Sequence, residues 1–337
     1  TPDRDAATLA FFAASGAPLP YEVETWRPGS TSTVWVKADA LPAQSATTLW
    51  AYFGGAKTAN DPTQVWEGDY ALVEHFADDR ASGATSSDST GTAAGTLVGA
   101  DLATSVSDRG TGQARFEQSR LQYPGDIGGD FDRISISGVY ALTGADIAAL
   151  SGNAPVIAKE SATGDGQASF WQGIRKNDSR VGTRILANSY EFDNVDYNDS
   201  FTFPADGEPH LVTQVYDGMT YSVFIDGREV SSRMVEYRTT FGDSRVRTTI
   251  GDYDTSSGAL SSALRGTVHE VQIAGVAFTP EFESFRYSNY LGDAVSFGER
   301  TSRTGEAVTL IVGSRTAGAA VEAGLVEFTG SVSERAT

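Results

Sequence analysis

The most constraining feature of the sequence is a pair of turns in the stretch 208–232. Two runs in which apolar and polar residues alternate, Leu211 to Val215 and Tyr221 to Ile225, flank Asp217-Gly218, and Asp226-Gly227 follows them. An Asx-Gly pair between runs with a period of two is the strongest short-range indication of a β-hairpin. Any fold of this chain must therefore accommodate a hairpin here.

The rest of the chain repeats this kind of local pattern. Short runs rich in β-branched and aromatic residues recur between glycines and prolines, and only residues 144–151 and 280–288 have the character of helices. Many short strands at turn-delimited spacing are typical of an antiparallel sandwich. The sequence therefore predicts an all-β fold.

The length of 337 residues and the positions of the polar, proline-containing and glycine-rich segments predict two domains and a tail. A small β-domain of about four strands covers residues 1–64 and ends in a polar linker that contains a proline. A larger domain covers residues 65–300. The tail, residues 301–337, contains two further strand-like runs, Glu306 to Val312 and Leu325 to Thr329.

Composition excludes several classes of partner. The net charge of −19 repels nucleic acid and anionic membrane surfaces. No apolar run approaches the roughly 18 residues of a membrane-spanning helix, so we expect no membrane insertion. The absence of cysteine excludes disulfides and thiolate chemistry. Few lysines and abundant small polar residues suit an exported microbial protein, and no signal-peptide pattern follows Thr1, so we expect a mature, processed form.

Residues 19–26, LPYEVETW, and 33–55, TVWVKADALPAQSATTLWAYFGG, form one recognisable pattern. They resemble the small uncharacterised β-domain that often precedes lectin-like domains in bacterial and archaeal surface proteins. Members of that family usually carry further strands upstream of the equivalent of Leu9. The resemblance thus implies that the N-terminal domain lacks its first strands and that the protein is extracellular or attached to the cell surface.

A second resemblance covers roughly residues 66–298. YALVEHF at 70–76, the hairpin, TIGDYDTSSG at 249–258 and RGTVHEVQIAGVAFTPEFESFRYSNY at 265–290 occur in the order and spacing of laminin-G-like members of the concanavalin A-like lectin and glucanase superfamily. That superfamily implies a two-sheet jelly-roll sandwich. It includes sugar binders, adhesion modules and glycosidases, so the fold alone does not decide the function.

Aromatic residues are the candidate ligand-binding groups, because exposed rings on a sheet can stack on sugars. The candidates are Trp171, Tyr197, Tyr221 and Tyr253. Packing in the sandwich core is the alternative for each of them.

Calcium is the candidate metal, because carboxylates in turn-rich segments supply the oxygen ligands that it needs. Asp252 and Asp254 lie in such a segment, and the laminin-G-like resemblance implies a site near Asp88 and Glu270. The asparagines frequent in that loop are replaced here by Thr92, Ala93 and Ala94, and solvated acidic loops are the alternative.

Glu191 and Asp193 invite comparison with the catalytic Glu-x-Asp-x-x-Glu strand of jelly-roll glucanases, which flanks a glycosidic bond with two carboxylates. The last position of the motif is Asp196 rather than Glu. The hairpin also follows sooner than in those enzymes.

Three functions follow from these observations. The first is a non-enzymatic surface module for adhesion that binds a glycan or a surface protein. The second is a structural subunit of a filament or surface layer that associates with itself through strands donated from residues 306–337, since an unpaired sheet edge accepts a strand. The third is a glycoside hydrolase that uses Glu191 and Asp193.

Overall fold

The computed structural model describes most of the chain. The residues outside the description are 1–5, 7, 28–29, 39, 42–45, 54–58, 78–80, 126, 128–130, 161–167, 188–192, 198–200, 236–245, 256, 293, 303–305, 314–323 and 332–337. For several strand residues, among them 186–187, 193–197, 296–302, 306–313 and 324–331, only the backbone is described. The chain divides into two units: unit 1 consists of residues 1–67, 106–112 and 279–337, and unit 2 of residues 68–105 and 113–278.

Unit 2 contains two eight-stranded sheets, with strands numbered in chain order. Sheet A has the spatial order β19 (Arg228–Met234), β18 (Thr220–Ile225), β17 (His210–Tyr216), β12 (Ile134–Ala141), β21 (Gly266–Ala274), β10 (Gly112–Phe116) and β9 (Thr104–Val106), with β6 (Tyr70–Glu74) also paired to β21. Sheet B has the spatial order β16 (Asp193–Tyr197), β15 (Arg180–Ala187), β14 (Ala168–Arg175), β13 (Ala154–Glu160), β20 (Thr248–Ile250), β11 (Ser119–Tyr123), β8 (Ala94–Gly99) and β7 (Thr85–Ser87).

The predicted hairpin is confirmed in sheet A. Strands β17 and β18 pair in an antiparallel register that matches Tyr216 with Tyr221, and β19 continues the meander. Asp226 and Gly227 adopt φ of 51° and 73°, the left-handed values required at both central positions of a type I′ turn. The Asp-Gly sequence thus produces the turn that was expected from it.

The core of unit 2 lies between sheets A and B, since one continuous cluster of buried apolar side chains draws on both. Ile136 and Tyr216 contribute from sheet A, and Phe170 and Ile250 from sheet B. A single α-helix of the described part of unit 2, α1 (Gly144–Ala149), follows β12. The prediction of an all-β antiparallel sandwich is confirmed.

Unit 1 is a smaller β-structure built from both ends of the sequence. Its five-stranded sheet has the order β2 (Pro18–Leu19), β1 (Ala10–Ala13), β5 (Ala46–Phe53), β23 (Glu306–Gly313) and β22 (Val295–Ser302), and its three-stranded sheet the order β24 (Gly324–Ser331), β4 (Thr31–Ala38) and β3 (Tyr21–Thr25). A 3-10 helix (Pro62–Val65) and the predicted helix α2 (Pro280–Tyr290) complete it.

Unit 1 differs from the predicted division of the chain. The sequence analysis assigned residues up to 300 to the larger domain and left 301–337 as a tail. In the structure α2, β22 and both strands of the tail lie with the N-terminal strands. The tail strands β23 and β24 pair along eight residues each with β5 and β4 of the same chain.

Candidate ligand-binding face of sheet B

Alternation along β14 distinguishes the two faces of sheet B. Phe170 and Ile174 belong to the core cluster, and Gln172 between them lies fully buried against sheet A, where its amide donates to the Val212 carbonyl at 3.2 Å. Successive side chains on a strand point to opposite faces, so Trp171 lies on the outer face. This outer face is the candidate site.

The strand registers align a row of side chains across the outer face. Gln122 of β11 pairs with Thr249, Thr249 with Ala158, Ala158 with Trp171, and Trp171 with Arg184 of β15. Ala158 and Thr249, the small residues at the middle of the row, are fully buried and are therefore covered by neighbouring groups. We call Gln122, Glu160, Trp171, Arg184, Arg247, Tyr253 and Asp254 the outer patch.

Two ion pairs flank the aromatic residues of the outer patch. The Arg184 guanidinium lies 2.8 Å from the Glu160 carboxylate, and the Arg247 guanidinium lies 2.7 Å from Asp254. Arg247 also donates to the side-chain oxygen of Gln122 at 3.4 Å, and 43% of its side chain is exposed. Each charge of one sign is matched by its partner, so the patch is polar but close to neutral.

Trp171 forms the floor of the outer patch. Its ring lies over Gly182 of the neighbouring strand, where the position of a Cβ would be only 2.6 Å from ring carbon Cη2. The side chain is 5% exposed, and its indole N–H has no well-formed hydrogen bond to any described group. The close approach of this N–H to the Tyr253 hydroxyl slightly lowers the pKa of that hydroxyl.

Tyr253 stands beside Trp171 and is partly exposed. Burial raises the pKa of its hydroxyl well above the ordinary value of a tyrosine, and the negative charge of Glu160 raises it further. The hydroxyl is therefore neutral throughout the physiological range and can both donate and accept a hydrogen bond.

A buried arginine positions the loop that carries Tyr253. Arg120 of β11 has no exposed surface, and its guanidinium donates to the carbonyls of Tyr253, Gly258 and Ala259. Burial lowers the pKa of this guanidinium. Since an arginine has five N–H donors in a rigid fork, one side chain can hold several carbonyls of a loop in place.

Asp252 fixes the same loop from its other end. Its carboxylate accepts hydrogen bonds from the backbone N–H groups of Ser261 at 2.7 Å and Ser262 at 2.8 Å, and from Tyr253 at 2.8 Å. The aromatic ring of Tyr253 is thus presented from a loop whose backbone is anchored at both ends.

The structure sorts the predicted aromatic residues into three groups. Trp171 and Tyr253, distant in sequence, lie together in the outer patch. Tyr221 is 1% exposed in the core and donates to the Gln214 side chain at 2.8 Å, which is the core-packing alternative for this residue. Tyr197 ends strand β16, and its side chain is outside the described part of the chain.

Sequence reasoning missed the charged members of the outer patch. Arg184 lies in the run Arg180–Ala187, where it is flanked by apolar residues at 181, 185 and 186. Arg180 and Arg184 both lie at alternate positions of this strand, and charges that recur with a period of two indicate its solvent side. This signal could have identified Arg184, whereas its pairing with Glu160 depends on the strand order.

Of the four carboxylates predicted to bind calcium, those of Asp88, Asp252 and Asp254 already accept hydrogen bonds from N–H donors. Asp88 accepts from the backbone of Thr90 at 2.8 Å and of Ala93 at 2.7 Å, Asp254 accepts from Arg247, and Glu270 lies 3.6 Å from His75. No three Asp, Glu, His or Cys side chains come together as metal ligands in the described ranges. These groups fit amide and guanidinium partners, and we derive no calcium chemistry from them.

The carboxylates of the glycosidase hypothesis cannot be placed. Glu191 lies outside the described residues, and only the backbone of Asp193, the first residue of β16, is described. Catalysis by these two residues stays a prediction.

The fold and the outer patch define a two-unit antiparallel β-protein with an aromatic, charge-balanced sheet face. Among the described helices, none combines the length and apolar character needed to cross a membrane.

Comparison with known proteins gives one family match. Residues 5–90 match a domain of unknown function, DUF2341. The matched range includes residues 19–55, the segment that resembles a small uncharacterised β-domain. No curated protein matches the sequence.

Several solved structures resemble about two thirds of this chain at low sequence identity. Domain 4 of AbnA, a GH43 extracellular arabinanase from Geobacillus stearothermophilus solved with arabinotriose, is 17% identical, with 65% of this chain and 98% of that chain covered and a TM-score of 0.49. The binding domain of Paraclostridial Mosquitocidal Protein 1 is 11% identical, covers 67% of this chain and 53% of that chain, and has a TM-score of 0.49. The botulinum neurotoxin serotype G binding domain is 16% identical, with coverages of 65% and 50% and a TM-score of 0.45. The chain thus spans about half the length of these toxin domains.

Proposed function

We propose that this protein is a non-enzymatic extracellular binding module that holds a neutral carbohydrate on the outer patch of sheet B. The observation that supports it is the meeting of Trp171 and Tyr253 on one sheet face between the Glu160–Arg184 and Arg247–Asp254 ion pairs. The sequence resemblance to surface proteins of bacteria and archaea supports a location outside the cell.

The chemistry of the outer patch suits a sugar better than a simple ion. A sugar presents C–H groups on its ring faces and hydroxyls at its edges, so it needs an aromatic surface with hydrogen-bonding groups around it. Tyr253 supplies a partly exposed ring, and Glu160, Arg184 and Gln122 supply both acceptors and donors.

The charge balance of the outer patch argues for a neutral ligand. An anionic or cationic ligand would need an excess of the opposite charge, yet both arginines here are already paired with a carboxylate. A neutral polyol can instead hydrogen-bond to these charged groups without breaking either pair, and hydrogen bonds to ionised groups are stronger than those between neutral groups.

The test is a glycan array followed by calorimetric titration of each neutral oligosaccharide that binds. We expect Tyr253→Ala and Arg184→Ala each to weaken binding about tenfold or more, a loss of about 1.4 kcal/mol. The control is Tyr52→Ala, because Tyr52 is a tyrosine of unit 1 that is 40% exposed and does not belong to the outer patch. Unchanged affinity in both patch variants, or an array without a binder, would contradict the proposal.

A further inference from the structure

The C-terminal strand β24 pairs with strand β4 at one edge of the three-stranded sheet of unit 1. Strand β4 contains Val34, Trp35 and Val36, all buried, and it lies between β3 and β24. Without β24, an apolar strand would become an open sheet edge, which is a template for another strand.

The ladder between these two strands is continuous. Antiparallel register partners run without a shift from Ala38 with Gly324 to Thr31 with Ser331, which is the whole length of both strands. The sequence of β24 includes Val326, Phe328 and Thr329, residues with high β-propensity. The acceptor and the donor are therefore matched in length, register and strand propensity.

Strand β24 lies at an edge of its three-stranded sheet. Strand β23 has a neighbouring strand on each side, and only three residues of the sequence, 303–305, separate it from β22. In contrast, β24 pairs with β4 alone, and ten residues, 314–323, connect it to β23. A connection of that length can reach about 33 Å when extended.

We infer that the edge of β4 accepts the β24 strand of a second copy of this chain, in the register described above. The exchanged ladder makes the same contacts as the ladder within one chain, so only chain connectivity and concentration distinguish the two states. Reciprocal exchange gives a closed dimer, and exchange in one direction gives an open polymer. This inference does not depend on the ligand of the outer patch.

The absence of cysteine from the chain permits a clean test with the full-length protein. Thr33 and Thr329 are register partners, and the Thr33 hydroxyl has no hydrogen-bond partner among the described groups, so Thr33→Cys removes no such bond. Chains with Thr33→Cys and chains with Thr329→Cys are refolded together and oxidised. We expect a disulfide between the two chains, in a fraction that rises with protein concentration.

A mismatched pair is the control for that experiment. Chains with Leu325→Cys replace those with Thr329→Cys. Residue 325 pairs with Lys37, so a cysteine there would lie roughly 13 Å along β24 from position 329, which is the position that faces Thr33. We expect little or no disulfide between chains in this mixture.

The double variant with both Thr33→Cys and Thr329→Cys in one chain reports the ladder within the chain. If it forms its internal disulfide while the mixed single variants give none at any concentration, the inference is overturned. The pair Ser32→Cys and Gly330→Cys repeats the test at the next register pair, whose side chains point to the opposite face of the sheet. Failure of both double variants to form a disulfide would overturn the β4–β24 pairing itself, while sugar binding would be unaffected.

Discussion

The position of Trp171 depends on a residue without a side chain. A Cβ at Gly182 would overlap the Trp171 ring, and the Arg175 side chain lies 3.2 Å from the same point. Trp171 in turn lies beside Tyr253, with its indole N–H near the Tyr253 hydroxyl. The outer patch therefore depends on a glycine that makes no contact with ligand.

We expect Gly182→Ala to destabilise unit 2 by about 1–3 kcal/mol, because an added methyl group in a tight contact forces neighbours out of place. Chemical denaturation measures the loss, and tryptophan fluorescence reports a more exposed indole. Gly144→Ala is the control, since a Cβ at position 144 meets no atom within 4 Å. A fully stable Gly182→Ala variant would contradict the close packing described here.

A second prediction concerns the pH dependence of stability. His210 lies with Nδ1 2.8 Å from the Asp226 carboxylate and Nε2 3.4 Å from that of Asp206, and the Phe203 ring packs on it edge-on. The hydrogen bond to Asp226 is the main cause that raises the pKa of His210, although burial partly opposes it.

The raised pKa fixes the sign of the effect. The stability contributed by His210 is fully present below the pKa of the unfolded chain and is lost as the pH rises through the higher pKa of the folded state. We expect the stability difference between the wild type and His210→Gln to shrink between mildly acidic and mildly alkaline pH, as measured by urea denaturation. A difference that is constant or grows with pH would contradict the assignment.

Trp171 and Tyr221 show how far single residues could be predicted. Both were candidates, and both lie on strands, but one faces out and the other faces the core. Strand alternation separates the two faces without saying which face is inner when both carry apolar residues, as Phe170 and Trp171 do. That choice is made by the opposite sheet, which local sequence does not encode.

At the scale of elements, helix α1 begins with a capping motif that can be recognised from the local sequence alone. Thr143 accepts from the backbone of Asp146, while the Asp146 carboxylate accepts from the backbone of Thr143, which forms a capping box. The Asp146 carboxylate also pairs with Arg115 of β10. Burial opposes ionisation of Asp146, but the Arg115 and Thr143 hydrogen bonds together lower its pKa to about 2.

We expect Asp146→Asn to cost on the order of 1 kcal/mol at neutral pH, because it removes the charge that Arg115 pairs with. A carboxylate with a depressed pKa contributes stability above its unfolded pKa, and that stability is lost as the pH falls through its folded pKa, so the cost of the substitution should shrink as the pH falls towards 2. Acid titration of both proteins, followed by circular dichroism, measures the difference. The same cost at pH 2 and pH 7 would argue against the ion pair.

The tail strands illustrate the limit of prediction for elements. Both runs, 306–312 and 325–329, are strands in the structure, close to their expected bounds. Their partners were not predictable, since β4 and β5 lie more than two hundred residues away and pairing over that distance leaves no local pattern.

At the scale of the whole molecule, unit 2 is inserted in the sequence between the N-terminal and C-terminal parts of unit 1, and only residues 106–112 within that stretch belong to unit 1. Its ends meet: the Gly275 N–H donates to the Asp69 carbonyl at 2.7 Å, and the Tyr70 and Phe278 ring centroids are 6.1 Å apart. Close ends and a core of its own are the properties of a domain that folds independently.

We expect a fragment of residues 68–278, which contains all of unit 2 and the short segment 106–112 of unit 1, to fold alone and to unfold in one cooperative transition. Thermal denaturation monitored by circular dichroism at two wavelengths measures this. The fragment should also keep the oligosaccharide affinity of the full chain, because the outer patch lies wholly within it. A gradual, non-cooperative transition would show instead that unit 2 needs unit 1.

The insertion also determines how the chain would carry mechanical load. Strands from the two ends of the sequence are hydrogen-bonded to each other, β5 to β23 and β4 to β24. Tension applied before β1 and after β24 is therefore borne by these ladders and bypasses residues 68–278 as long as the ladders hold. The outer patch would therefore keep its shape under a pull on the ends of the chain, because the ladders of unit 1 hold those ends together.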